Sequence, residues 1–261
     1  MKINLRMQPV FAAVAALAFS LLLAGQGATQ APAKASGAAA GAAPSSTDLA
    51  GVWEMPREAF GQYDQTFGKE ELPMTDWAKQ KYAAARPSEG PRMVSTAQLN
   101  DPFYVCLPPG VPRIYLHPFA MQIVQTPKEV IQLFEYDHLV RHVYTDGRGH
   151  GDPDPTWMGD SIGHWEGTTF VVDSIGFNDK TWIDRVGHPH SDKEHVIERF
   201  RRVDAKTIQM DMTIEDPVAY TKPIVKQFIF RLQPTWKIQE HICVDNADFL
   251  EFDKREVQKP Q

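Results

Sequence analysis

The run HVIERFRRVDAKTIQMDMTI, residues 195–214, holds two segments of period-two hydrophobicity around a short polar break at Asp204-Ala205. In the second segment Ile208, Met210, Met212 and Ile214 alternate with Gln209, Asp211 and Thr213. Successive side chains of an extended chain point to opposite faces, so this pattern describes a strand with one buried face. His195 to Val203 and Lys206 to Ile214 therefore read as a hairpin. Further along, Phe228, Phe230 and Leu232 alternate with Gln227, Ile229 and Arg231, within a strand expected over Ile224 to Leu232. Trp236 to Cys243 follows it across Gln233-Pro234-Thr235.

Toward the N-terminus the punctuation is similar. Ser161 to Trp165 and Thr168 to Ile175 flank Glu166-Gly167, a good hairpin turn pair. Met121 to Thr126 and Glu129 to Tyr136 flank Pro127-Lys128, Leu139 to Thr145 follows Asp137-His138, and Leu49 to Trp53 supplies a first strand. Consecutive hairpins with one apolar face close most economically into a barrel, which leaves no exposed edge. The expected fold class is all-β: an antiparallel barrel with one short N-terminal helix and long loops. That helix runs from Asp76 to Arg86, capped by Thr75 and stopped by Pro87, and reads as a lid or plug.

The chain has 261 residues, 43% hydrophobic and 23% charged, enough for a sizeable core. Residues 1–28 read as a signal peptide. Lys2 and Arg6 precede an uncharged run from Pro9 to Ala24, and the small residues Gly25, Gly27 and Ala28 follow. Residues 29–47 are an Ala/Gly/Ser/Pro linker, and 48–261 are expected to form a single barrel domain. The expected location is the periplasm or the exterior, with no membrane insertion after signal cleavage. Net charge is −6, and −8 once Lys2 and Arg6 are removed, with no basic run, so nucleic acid is not an expected partner. Cys106 and Cys243 are the only cysteines, and the sequence allows either one disulfide or two buried thiols.

Chemistry concentrates in one span. Seven of the nine histidines lie between His138 and His195, together with Asp160, Asp173 and several other titratable groups. His138, Asp160, His188 and His190 are the candidates for proton transfer. Arg141 and Tyr144 are the candidates for orienting a substrate, although alternation puts them on opposite faces of a strand, and Trp157, Trp165 and Trp182 would supply apolar walls. Gly187-His188-Pro189-His190-Ser191 places two histidines two residues apart. His188, His190 and His195 are thus the candidate ligands of a divalent metal. The pattern resembles the first metal motif of cupins, but Trp182 and Arg201 stand where that motif has glycines. No glycine-rich phosphate loop occurs, so no nucleotide cofactor is expected.

Cys106 to Arg113 (CLPPGVPR), Gln122 to Pro127 (QIVQTP), Tyr144 to Arg148 (YTDGR), Asp160 to Gly167 (DSIGHWEG) and Val171 to Phe177 (VVDSIGF) resemble a family of exported bacterial proteins of unknown function. Gly51-Val52-Trp53 also resembles the Gly-x-Trp start of lipocalin-like barrels. The resemblance implies a lipocalin-like (calycin-like) barrel and no particular reaction. Two functional readings follow from the residues. One is an exported enzyme doing acid-base chemistry, of lyase, hydrolase or isomerase type, on a small, partly apolar organic molecule in a barrel pocket. The other is a non-catalytic carrier of a small ligand in the cell envelope.

Overall fold

The computed structural model describes residues 46–56, 66–68 and 71–246. The expected signal peptide at 1–28, and the expected linker at 29–47 except its last two residues, lie outside them. Nine strands form a closed barrel: β1 (Gly51–Glu54), β2 (Met121–Gln125), β3 (Glu129–Phe134), β4 (Val140–Tyr144), β5 (Asp160–Glu166), β6 (Thr169–Ile175), β7 (His195–Asp204), β8 (Thr207–Glu215) and β9 (Ile224–Leu232). Each strand pairs with the next in sequence, and β1 closes the ring against β9 through Trp53↔Leu232 and Glu54↔Arg231.

The expected all-antiparallel order needs correction at one seam. β4 and β5 pair in parallel, Val143 with Ser161 and Tyr144 with Ile162, while the other eight pairs are antiparallel. Up-and-down strands cannot alternate all the way round a ring with an odd number of members, so nine strands require such a seam. The connection over 145–159 has the length that a parallel return demands. The missing tenth strand is Trp236 to Cys243, which forms only an isolated bridge, Tyr136↔His241. It has no edge to join, because β1 already occupies the free side of β9.

Alternation along β7, β8 and β9 is as the sequence implies. Val196 and Phe200, Ile208, Met210, Met212 and Ile214, and Phe228 and Phe230 are buried. Tyr115, from a 3-10 turn at Arg113–Leu116, packs its ring against Phe134, Phe228 and Phe230 at 5.7–6.0 Å. Each such side chain contributes about 1.5–3 kcal/mol by leaving water. The barrel interior is a packed core.

α1 (Asp76–Ala84) begins where expected, with Thr75 Oγ1 accepting from the Ala78 amide. It ends two residues before the expected Arg86. Ala85 is already extended, and Pro87 disfavours helical backbone at Arg86. Its N-terminus is tied to the β8–β9 connection, where the Thr75 amide donates to Ala219 O and Thr75 Oγ1 donates to Val218 O. The helix is therefore a wall beside the loops, and the barrel's own side chains with Tyr115 fill the lumen. Cys106 and Cys243 form a disulfide that spans 137 residues and fastens the C-terminal segment to the 3-10 turn at Pro102–Val105. No described helix is long and apolar enough to cross a membrane.

Candidate functional site

The 19 residues 176–194 between β6 and β7 are held by two buried carboxylates. Asp184 Oδ1 accepts the amides of Val186, Gly187 and His188, each at 3.1 Å, and Asp184 Oδ2 lies 2.5 Å from His188 Nδ1. Asp216, from the β8–β9 connection, accepts the amide and hydroxyl of Ser191 at 2.6 and 2.8 Å. Tyr220 donates its hydroxyl to Pro189 O at 2.6 Å. Gly187 has φ +102°, and a Cβ there would meet the Ala85 methyl at 2.6 Å, so this close approach of helix and loop requires glycine. These contacts place His190 beside α1.

The result is a cleft of about 250 Å³ between α1 and the loop, lined by Trp77, Lys81, Lys180, Thr181, Trp182 and His190, among others. His190 is 3% exposed and Glu194 1%. His190 Nδ1 lies 2.6 Å from Glu194 Oε2, an ion pair whose oxygen sits off the ring N–H axis. On the other side of the ring, His190 Nε2 has no hydrogen-bond partner among the described residues, and neither has the buried Thr181 Oγ1. Burial works against the imidazolium, but the adjacent Glu194 carboxylate, with Asp216 and Asp179 further off, outweighs it and raises the His190 pKa. Burial likewise raises the Glu194 pKa, partly offset by His190. A histidine oriented by a carboxylate on one nitrogen and unpaired on the other is the arrangement of a general base or acid.

The other candidate residues disperse. His188 is buried at 7% exposure, bonded to Asp184 and stacked on Tyr82 at 4.3 Å, with the Arg92 guanidinium over the far face of that ring at 4.0 Å. His195 lies on the outer face, 2.8 Å from Asp173 and 3.4 Å from Glu215. The expected metal set of His188, His190 and His195 therefore does not assemble: each imidazole faces a different carboxylate. Among the described residues no group of three or more His, Cys, Asp or Glu side chains is placed to hold a metal ion. The reason is the turn at Asp184, which draws His188 away from its neighbour.

His138 is exposed at the β3–β4 turn with φ +50°, beside Asp137 at +51°, and contributes to the hairpin. Asp160 is on the outer face, 2.7 Å from His150, which also reaches Asp173 at 3.2 Å. Tyr144 lies outside the barrel under the Arg148 guanidinium, 3.8 Å from it. Trp165 packs on Phe170 near the β5–β6 turn, and Trp157 donates nothing to the cleft wall, its carbonyl accepting the Val111 amide. Of the sequence candidates, only His190 and Trp182 line the cleft.

Arg141 does enter the lumen and does hold a carboxylate, but an internal one. Its guanidinium donates to Glu198 Oε1 and Oε2 at 2.9 and 2.5 Å, to Tyr115 and Gln132, and to Ser161 and Ser174. With these bonds made, it has no donor left for a ligand. Glu198 stands in phase with the buried Val196 and Phe200, a charge in an apolar register that signals an interior partner. The cleft's Lys81 and Trp77 carry no such signal, because α1 is far from the histidine-rich span in sequence. Comparison of the chain with protein-family models, with curated proteins and with solved structures finds no match.

Proposed function

We propose that the protein is an exported enzyme that performs acid-base chemistry, a lyase, hydrolase or isomerase step, on a small, partly apolar organic molecule. The reacting centre is the cleft between α1 and the β6–β7 loop. The observation that carries this reading is His190, buried, oriented by Glu194 and left with an unpaired Nε2 on a cleft walled by Trp77 and Trp182. His190 is the proton-transfer residue, and Glu194 holds its charge and orientation. The site belongs to the end of the barrel, since Arg141, Glu198 and the aromatic core occupy the lumen.

Export is supported by the N-terminal sequence and by the Cys106–Cys243 disulfide, since such bonds persist in oxidising compartments. A lipocalin-like relationship is supported by the near-sequential barrel and by Trp53, fully buried in the first strand with its Nε1 donating to Leu49 O.

The test is turnover. Purified mature protein is incubated with a panel of small esters, lactones and hydroxy acids and followed by mass spectrometry, alongside His190→Gln, His190→Gln/Glu194→Gln and His188→Gln. The expected result is turnover of at least one member that is lost in His190→Gln and in the charge-neutral His190→Gln/Glu194→Gln and kept in His188→Gln, each measured at a temperature where that variant is folded. A small molecule that copurifies and is never converted, or turnover that survives His190→Gln, would establish the carrier reading or another centre in its place.

A further inference from the structure

The cleft's charges specify its ligand more narrowly than acid-base chemistry does. Lys81 on α1 and Lys180 on the β6–β7 loop both line it, with one carboxylate, Asp179, among the lining residues. Among the described residues neither lysine has a carboxylate within ion-pair distance, whereas Lys79 and Lys193 pair with Asp76 and Asp192. The Lys81 ammonium sits 5.6 Å from the centroid of the Trp77 ring, so it is held at the wall. Asn100, which also lines the cleft, is committed elsewhere: its amide donates to Ala84 O and its carbonyl oxygen accepts from the Arg86 amide.

Deeper in, Thr181 Oγ1 and His190 Nε2 are buried without partners. A buried polar group left unpaired costs roughly 1–3 kcal/mol, a cost that a ligand oxygen seated between them removes. Trp77, from α1, and Trp182, from the β6–β7 loop, are both among the lining residues. A volume of about 250 Å³ lies below the roughly 300–1,000 Å³ that accommodates drug-sized ligands, so the occupant is small.

We infer that this cleft takes a small monoanionic organic acid, its carboxylate met by Lys81 and Lys180 and its planar or apolar body lying between Trp77 and Trp182, with a polar atom presented to His190 and Thr181. This rests on the proposed function for the role of His190, but the charge selectivity stands on the lysines alone. A cationic ligand would face two ammonium groups, and a neutral one would leave both unused.

The test uses benzoate, benzamide and benzylamine as probes of one shape and three charges, with binding read by tryptophan fluorescence and by two-dimensional amide NMR of the full mature protein. Benzoate is expected to bind at least about tenfold more tightly than benzamide, with benzylamine weakest, and to shift the amides of Thr181, Trp182 and His190. In Lys81→Gln/Lys180→Gln the benzoate preference falls to near unity while benzamide binding and the melting temperature stay put, since both lysines are exposed. Added salt weakens benzoate alone. Equal affinity for benzoate and benzamide, an unchanged preference in the double variant, or no binding of any probe at tens of millimolar overturns the inference. Charge-selective binding without turnover in any substrate panel would sink the enzymatic reading and leave the ligand class standing. Turnover of neutral compounds that depends on His190 and ignores the lysines would do the reverse.

Discussion

Arg141 grips Glu198 through two hydrogen bonds of 2.9 and 2.5 Å inside the barrel, with both side chains at most 1% exposed. The pair joins β4 to β7 across the lumen, and Ser161, Ser174, Tyr115 and Gln132 complete the donor set of the guanidinium. Such a pair is costly to desolvate and more costly to break.

Glu198→Gln should therefore destabilise the protein by about 3–5 kcal/mol, because the Arg141 charge stays buried with only neutral partners. Replacing both, as Arg141→Met/Glu198→Leu, should recover most of that loss, since no charge is left behind. Urea midpoints of the three proteins check this; a double variant as unstable as the single one would mean that the polar network itself sets the packing.

His190 and Glu194 both hold their protons more tightly in the fold than at their ordinary values of 6.5 and 4.5. The folded state then binds more protons than the unfolded chain, so this pair's contribution to stability is full at low pH and is lost as pH climbs from about 4.5 through the raised His190 value above 6.5. In Glu194→Gln the strongest influence raising His190 is gone, and burial, opposed only by the weaker pull of Asp216 and Asp179, should bring the imidazole below 6.5. Proton NMR of the His190 ring, with thermal melts of both proteins across this range, reads the two effects separately.

The two neighbouring histidines should behave differently. His188→Gln removes the stack on Tyr82 and leaves Asp184 Oδ2 without its ring partner, at a cost of about 1–3 kcal/mol. His190→Gln loses nothing at Nε2 but leaves the buried Glu194 without its imidazolium, at a cost of about 3–5 kcal/mol that His190→Gln/Glu194→Gln should largely recover. Differential scanning calorimetry of the three variants checks this; a His190→Gln protein as stable as the parent would mean that the pair carries no charge in the fold.

Phe228 and Gln227 test the register of β9. Phe228 is 2% exposed among Phe67, Tyr115 and Phe230, so Phe228→Asp puts an unpaired carboxylate into the core and should abolish stable folding. Gln227 is exposed and donates to Asp211, so Gln227→Asp should cost about 0.5–1 kcal/mol, through lost bonding and like charge. Circular dichroism during urea unfolding distinguishes them.

Removing the disulfide as Cys106→Ser/Cys243→Ser should lower stability by about 2–4 kcal/mol, because the bond closes a long stretch of chain in the unfolded state. Chemical unfolding with and without reductant measures it; equal midpoints would mean that the C-terminal segment docks by its other contacts, among them the Asp137 amide donating to His241 O.

What the sequence determined by itself is local: period-two alternation in β7, β8 and β9, the tight turns between strands and the Thr75 cap follow from interactions within a few residues and stand in the fold, although the β5–β6 and β7–β8 turns fall one residue later than expected, at Gly167-Thr168 and Ala205-Lys206. The opposite faces of Arg141 and Tyr144 belong with them, since alternation alone separates the two. What only tertiary structure decided is anything that depends on ring closure or on loops meeting. β1 takes the edge that Trp236 to Cys243 would need, and nine strands then force one parallel seam. The histidine-rich span divides because Asp184 and Asp216, one inside the loop and one from another connection, turn His188 and His190 toward different partners. Lys81 and Trp77 reach His190 from about a hundred residues away in sequence, because the β8–β9 connection binds α1 and the loop together. Side-chain periodicity carries no record of such distant contacts, and they are what made a cleft from residues that look unrelated in the chain.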